Sequence, residues 1–289
     1  MVADIIPDTD ANDSRESGMA KQRIVTLLTD FGSGGPYVAE MKGVILTLMP
    51  QATLVDISHS IPPGDILSGA FVLAQAVGHF PPGTVHAVVV DPGVGTRRRV
   101  LAARYASQVV VFPDNGMISA VNDLLPMEEI VVVADERHFL GKGLNSTFQG
   151  RDVIAPVAAR VVGGMLLKAL GPPPETFKVL DLPQPRVLED GSVMGEVIFV
   201  DAFGNLISNI SATVLAENFG EALDLDVASG GQPVGPLQPA YGFVGPGEPL
   251  ALINSMELLE VAVNGGRASE RFNADVGCQV QVGRRKPGE

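Results

Sequence analysis

Several short segments bring together residue types that catalysis and ligand binding use. In Val90-Asp91-Pro92-Gly93-Val94-Gly95-Thr96-Arg97-Arg98-Arg99 a carboxylate is followed, seven residues on, by a guanidinium. Such a pair can close as a buried ion pair that orients a water, or lie in solvent as a basic turn. In Thr29-Asp30-Phe31-Gly32-Ser33-Gly34-Gly35 an acid stands before glycines and a helical pattern. It can accept hydrogen bonds from both hydroxyls of a ribose, while the glycines admit a ligand to the backbone and the helix start offers free N–H groups. The spacing is not the G-x-G-x-x-G dinucleotide fingerprint, and the same residues also read as an Asp capping a helix from a glycine turn. Thr147-Phe148-Gln149-Gly150-Arg151-Asp152 leads into another helix; Gly150 permits close contact, and Asp152 is an N-cap or a ligand. Farther along, Asp201-Ala202-Phe203-Gly204-Asn205 offers a stacking face in Phe203 and, in Asn205, an amide that can donate to and accept from a base edge. Asn254-Ser255 stands at a similar strand end, Phe112-Pro113-Asp114-Asn115-Gly116 reads as an ordinary Asn-Gly turn, and His59 reads as a structural histidine rather than a base.

Elements must place these segments at strand ends. Apolar β-branched runs at 24–28, 53–57 and 85–90 alternate with helical patterns at 37–49 and 66–80, and further strands are expected at 109–112 and 130–133, with a helix over 152–170. Continuous apolar strands separated by amphipathic helices predict a mostly parallel sheet covered on both faces, a Rossmann-like α/β sandwich whose ligands sit beyond the carboxyl ends of the strands. Gly171-Pro172-Pro173-Pro174 stops the last helix and opens a Pro-rich connection. Beyond it, short Gly-punctuated strands at 195–200, 206–210, 223–227, 250–253, 258–263 and 279–282 predict a smaller antiparallel sheet or barrel. The expected division is therefore a disordered tail over 1–22, an α/β domain over 23–172, a linker over 173–190 and a C-terminal β domain over 191–289.

Composition narrows the function classes. The chain has 289 residues, 46% of them apolar, with 33 Gly and 22 Pro, which describes a turn-rich globular protein with material for two cores. A net charge of −13 lacks the basic footprint of a nucleic-acid binder, and no apolar run nears the ~18 residues of a membrane span. The polar first 18 residues lack the basic start and apolar stretch of a signal peptide. One cysteine, Cys278, excludes an intrachain disulfide and fits a reducing cytoplasm. The four histidines, at 59, 79, 86 and 138, lack the spacing of a histidine metal site.

Taken in order, the segments resemble the S-adenosyl-L-methionine (SAM) hydroxide adenosyltransferase family, the SAM hydrolases, which is related to the fluorinase and chlorinase that attack the same substrate with halide. The resemblance runs from about Arg23 to Val282. Thr29-Asp30-Phe31-Gly32 with Tyr37-Val38 and Met41-Lys42-Gly43, Val89-Val90-Asp91-Pro92-Gly93-Val94-Gly95-Thr96, Pro113-Asp114-Asn115-Gly116, Phe148 with Gly150-Arg151-Asp152 and Ala155-Pro156, Asp201 with Phe203-Gly204-Asn205, and Asn254-Ser255 carry it. It implies an N-terminal α/β domain, a C-terminal β-barrel-like domain and a homotrimer with sites between the N-domain of one subunit and the C-domain of the next. It also implies the reaction, in which water or hydroxide displaces methionine from C5′ of SAM to give adenosine and L-methionine, with no cofactor and no metal.

By the same resemblance Asp30, with Phe31 beside it, holds the ribose diol, and Asn205 reads the adenine with help from backbone near Asn264-Gly265. Phe203 and Tyr241 flank the base, and Ser255 with Asp201 holds the methionine end. Asp91 and Arg98 match two members of the family's Asp-Arg-His set that positions the attacking water. The third position is Gln149, which can hydrogen-bond but takes no proton at neutral pH. A slower hydrolase relying on positioning, hydroxide delivered mainly by Asp91 and Arg98, and a substituted form of a histidine-containing parent all fit that departure. Gly35 is a smaller one, where many relatives have an acid. Asp91 and Val94 stand where the fluorinase lines its halide pocket with Tyr and Thr, which disfavours halide, whereas Gly150 in place of a halide-binding Ser is shared with the chlorinase. A SAM- or adenosine-binding protein with weakened catalysis and a SAM-dependent chlorinase are the alternative readings.

Overall fold

In the computed structural model the described residues are 22–141, 143–220 and 224–285. The tail expected over 1–22 lies, apart from Gln22, outside them, as does Leu223. The chain divides between Leu180 and Asp181 into two units.

The first unit is built as β1 (Ile24–Thr29), α1 (Tyr37–Leu48), β2 (Thr53–Ser58), α2 (Ile66–Val77), β3 (Val85–Val89), β4 (Val100–Tyr105), β5 (Gln108–Pro113), α3 (Ser119–Leu124), β6 (Met127–Val132) and α4 (Ala155–Val162). Among the described residues its sheet has the order β2-β1-β3-β5-β4-β6. The β2–β1, β1–β3 and β3–β5 pairs are parallel, and β4 is antiparallel to both β5 and β6. Alternation along β1 and β3 separates two cores. Val25, Leu27, Ala87 and Val89 pack with Met41 and Ile45 of α1 and Val157 and Ala158 of α4. Leu28, Val88 and Val90 pack with Leu73 of α2 and with Met117, Ile118 and Val121 around α3. Each fully buried Leu or Val contributes ~1.5–3 kcal/mol, so burial on both faces is what makes uninterrupted apolar runs stable as central strands.

The single helix expected over 152–170 is instead three pieces: a wide π turn at Gly150–Ile154, then α4, then a 3₁₀ turn at Leu167–Ala169. Gly163 and Gly164 break the run, Gly164 with φ +107. Strand β4 was not expected. It forms a tight hairpin with β5 over Ala106 and Ser107, both at positive φ. The Pro-rich stretch that follows is tied to this unit, because Lys178 N donates to Asp114 Oδ1 at 2.8 Å and Arg99 donates to both Asp114 and the Thr176 carbonyl.

The second unit comprises β7 (Arg186–Val187), β8 (Val193–Val200), β9 (Leu206–Ser211), α5 (Ala212–Phe219), β10 (Leu225–Ser229), β11 (Gln232–Pro236), β12 (Pro249–Ile253), β13 (Leu258–Val263), α6 (Ala268–Phe272) and β14 (Gln279–Arg284). Its antiparallel sheet runs β11-β10-β14-β8-β9-β13-β12. It curls nearly shut: Gln238 N donates to the Ala251 carbonyl at 2.7 Å, which brings the end of β11 to β12. The inward residues Val193, Val197, Leu206, Val227, Val261 and Val282 fill it, with Leu215 and Phe272 from the two helices. No helix among the described residues is long and apolar enough to cross a membrane.

Candidate functional site

Strands β1, β3 and β5 are parallel neighbours, so their carboxyl ends open on one edge of the first sheet. That edge carries Asp30 after β1 and Asp91 one residue beyond Val90, and Asp30 N is held to the Val89 carbonyl at 3.3 Å. A small cavity of about 60 Å³ lies there, lined by Asp30, Phe31, Val89, Asp91, Val94, Arg98, Pro113, Thr147, Phe148, Gln149, Gly150 and Ile154. Asp91 and Arg98 are joined to Gln149, 51 residues farther along the chain. Arg98 Nη2 donates to Asp91 Oδ2 at 2.5 Å and to Gln149 Oε1 at 2.6 Å, while Nη1 donates to the Arg99 carbonyl at 2.7 Å. The ion pair is almost dry, with side-chain exposures of 8% and 3%. One guanidinium atom, Arg98 Nε, is buried and has no partner among the described residues. A buried donor in that condition costs ~1–3 kcal/mol, which a ligand or water in the cavity would restore.

Gln149 is fixed at both ends of its amide: Oε1 accepts from Arg98 and Nε2 donates to the Leu144 carbonyl at 2.7 Å. It stands at the start of the π turn, a local widening of the helix of the kind found at functional sites. The next residue is closely packed, since a Cβ on Gly150 would sit 3.0 Å from Phe148 and 3.1 Å from the Met41 sulfur and both side chains would have to give way. Asp152 is buried and structural: burial raises its pKa, but bonds from Arg151 and the Ser146 hydroxyl outweigh that and hold it below the usual range.

Asp30 accepts from Gly64 N through Oδ2 at 2.8 Å, and its other oxygen takes no bond from the described residues. Thr29 Oγ1 pairs with His59 Nδ1 at 2.9 Å and the His59 carbonyl accepts from Gly32 N at 2.8 Å, so His59 holds the loop in the structural role its position predicts. Phe31, Tyr37 and Phe148 meet edge to face or tilted at 5.3–5.6 Å, forming an apolar rim with Tyr37 49% exposed. Asp114 and Asn115, by contrast, are committed to structure. Asn115 Nδ2 donates to the Val90 carbonyl, and Asp114 takes Arg99 and Lys178 N.

The second unit carries a larger pocket of about 550 Å³, lined by Ala202, Phe203, Asn205, Tyr241, Val263, Asn264, Gly265, Gly266 and Arg267. Five of the residues singled out from sequence, Phe203, Asn205, Tyr241, Asn264 and Gly265, thus come together. Asp201 and Ser255 are not in its lining. Asp201 organises the loop instead: Oδ1 accepts from Phe203 N and Asn205 N, each at 2.9 Å, and Oδ2 from Asn205 Nδ2 at 3.0 Å. Gly204 lies at φ +82 against Arg267, where a Cβ would come within 2.9 Å. This turn throws Phe203 outward, 74% exposed, and keeps Asn205 buried. Ser255 is exposed at the tip of the β12–β13 turn. Sequence reasoning passed over Glu260, whose only signal was a lone acid inside the apolar run Leu258–Val263. Among the described residues no group of three or more His, Cys, Asp or Glu is placed to hold a metal.

Two family profiles match this chain: the SAM hydroxide adenosyltransferase N-terminal domain over residues 25–171 and the C-terminal domain over 195–281. A protein named (R)-S-adenosyl-L-methionine hydrolase from Salinispora tropica is 38% identical over 265 residues, covering 91% of this chain and 99% of that one. A fluorinase from an Actinoplanes species is more distant, 27% identical over 90% of this chain and 97% of its own. Among solved structures, an uncharacterized conserved protein from Thermotoga maritima superposes with a TM-score of 0.84 at 35% identity, covering 90% of this chain and all of that one.

Proposed function

The chain belongs to the SAM hydroxide adenosyltransferase family, and we propose that it hydrolyses SAM to adenosine and L-methionine. The observation that carries the reading is the joined Asp91, Arg98 and Gln149 around a cavity of about 60 Å³, with one buried guanidinium N–H still unpaired. A cavity holds a water from about 10–15 Å³ of such space, so this one has room for a nucleophile of a few atoms and is too small for a nucleoside. A new O–C5′ bond forms as the C5′–S bond breaks, and the bonding pair leaves on sulfur. The sulfonium becomes a neutral thioether, and the proton of the attacking water passes to Asp91 and then to solvent. Little covalent assistance is needed; holding oxygen, carbon and sulfur in line in a dry site is the main task. Arg98 orients the oxygen, and Gln149, which takes no proton at neutral pH, holds the guanidinium.

Asp30, beside Phe31, takes the ribose hydroxyls. Phe203 and Tyr241 flank the adenine, Asn205 and the backbone at Asn264-Gly265 meet its edge, and Ser255 with Asp201 faces the methionine end. The larger pocket falls within the ≈ 300–1,000 Å³ usual for small-molecule sites. We assign the complete site to a homotrimer in which the cavity of one subunit's first unit meets the pocket of the neighbour's second unit. Exposed aromatic side chains on both units, Tyr37 on the first and Phe203, Tyr241 and Phe243 on the second, support that, since aromatic residues are enriched at interfaces. No metal or cofactor takes part, and the single cysteine fits work in the cytoplasm.

The test is chromatography of products from SAM in buffers with and without chloride. Adenosine and methionine in equal amounts in both is the expected result. A chlorinated nucleoside in chloride would make the protein a halogenase, and binding without adenosine above background would make it a SAM-binding protein.

A further inference from the structure

Glu260 lies mid-strand in β13, opposite Ile207 of β9 and Leu252 of β12, and is 3% exposed. Its carboxylate accepts from the Tyr241 hydroxyl at 2.5 Å through Oε1 and from Asn254 Nδ2 at 3.2 Å through Oε2. Tyr241 lines the 550 Å³ pocket, so the charge sits one hydrogen bond behind the pocket wall. Among the described residues Glu260 makes no ion pair. The nearby charge is Asp201, of the same sign, and it pushes the Glu260 pKa upward in addition to the larger effect of burial, against the two hydrogen bonds.

A buried carboxylate with no cation beside it is costly, and a second carboxylate nearby makes it more so. Its own face of the strand is otherwise apolar, with Leu252 opposite it and Ala262 two residues on in one buried cluster. The cost has a use if the ligand brings the missing positive charge. We propose that Glu260, which joins Tyr241 of the pocket to Asn254 beside Ser255, is a specificity-determining residue whose buried charge makes the second unit's share of the site prefer a cationic sulfonium ligand to a neutral nucleoside thioether. The inference rests on the reading of SAM as substrate and adds a way to admit substrate while releasing the neutral adenosine.

Two unreactive probes separate charge from shape: S-adenosylhomocysteine, a neutral thioether, and sinefungin, which carries a protonated amine in place of the sulfonium. Calorimetry on the full-length protein should give sinefungin at least about tenfold tighter binding than S-adenosylhomocysteine, the size of a partly screened charge pair. Glu260→Gln should remove most of that preference and leave S-adenosylhomocysteine affinity within about twofold, whereas Tyr241→Phe, which keeps the charge, should retain the preference. Equal affinities for the two probes in the unaltered protein would overturn the proposal even if the Gln variant fails to fold. Equal weakening of both probes in Glu260→Gln would reduce the residue to a structural support of Tyr241. The measurement needs no turnover, so a protein that prefers the cation but releases no adenosine from SAM refutes hydrolysis and not this inference.

Discussion

Arg98 spends two of its nitrogens on Asp91, Gln149 and the Arg99 carbonyl, and its buried Nε has no partner among the described residues. Donors fixed in this way are what pre-organises a site for a nucleophile. Gln149 completes that clamp without proton transfer, and this sets the first prediction. Gln149→His should raise kcat by on the order of ten- to hundredfold, because a general base adds 10²–10⁴-fold when well placed and loses part of that here with the Leu144 bond. The new base should also bring an acid limb to the kcat/KM profile near the ordinary histidine pKa of about 6.5, with activity falling as the ring protonates. Steady-state rates between pH 5 and 8 check both, and an unchanged kcat with a flat profile would show that this position does not limit the chemistry. Asp30 gives the second prediction. One oxygen is committed to Gly64 N and the other is open, so Asp30→Ala should weaken adenosine binding by roughly tenfold to a hundredfold, the loss of hydrogen bonds to a charged acceptor. Equilibrium titration with adenosine measures it, and unaltered affinity would remove Asp30 from the site.

At the scale of elements, the buried network between β1, β3 and β5 deserves its own test. Gln108 donates both amide hydrogens to the Val77 and Phe80 carbonyls, so its Oε1 is left to accept from His86 Nε2 at 2.7 Å. His86 Nδ1 then accepts from the Thr26 hydroxyl at 2.8 Å, and the ring is neutral and 0% exposed. Burial lowers its pKa to about 4, partly opposed by the Gln108 bond. A depressed histidine pKa stabilises the fold fully above the unfolded value near 6.5, and the contribution is lost as pH falls from there toward 4. The expected loss is about 2 kcal/mol between pH 7 and pH 5, above the range where most carboxylates titrate. Urea midpoints that do not move over that interval would contradict a neutral His86. The same strands explain what could be read in advance. Runs such as Ile24–Thr29 and Val85–Val89 are apolar on both faces, so they announced central parallel strands with Asp30 and Asp91 at their ends. Strand β4 did not announce itself, since Val100-Leu101-Ala102-Ala103-Arg104-Tyr105 has no turn residue before it that separates it from the basic loop, and the hairpin that reverses it runs over Ala106 and Ser107 at positive φ, with no Gly or Asn to signal a turn. The grouping of Gln149 with Asp91 and Arg98 was legible only through the family resemblance, because Arg98 lies 51 residues away and the π turn that aims the amide has no sequence signature.

At the scale of the whole molecule, the division of labour is uneven. The first unit holds a small cavity with the Asp91–Arg98 ion pair, and the second holds the roomy aromatic pocket. If the two halves of one site come from neighbouring subunits of a trimer, inactive chains should rescue one another. Arg98→Ala disables the first unit and Asn205→Ala the second, so each homotrimer should be nearly inactive. In a randomly mixed trimer, a site is intact when an intact first unit from the Asn205→Ala chain meets an intact second unit from the Arg98→Ala chain. Each choice has an even chance, so equal mixing should restore about one quarter of the activity of the unaltered trimer, provided subunits exchange freely around the cyclic assembly. Sites formed within single chains would behave differently, because every chain then carries one defect and mixing restores nothing. Co-expressing the two variants, confirming equal incorporation by mass spectrometry of the purified oligomer, and measuring adenosine release distinguishes the cases. Recovery near one quarter supports shared sites, and activity no higher than the mean of the two parent variants would overturn them.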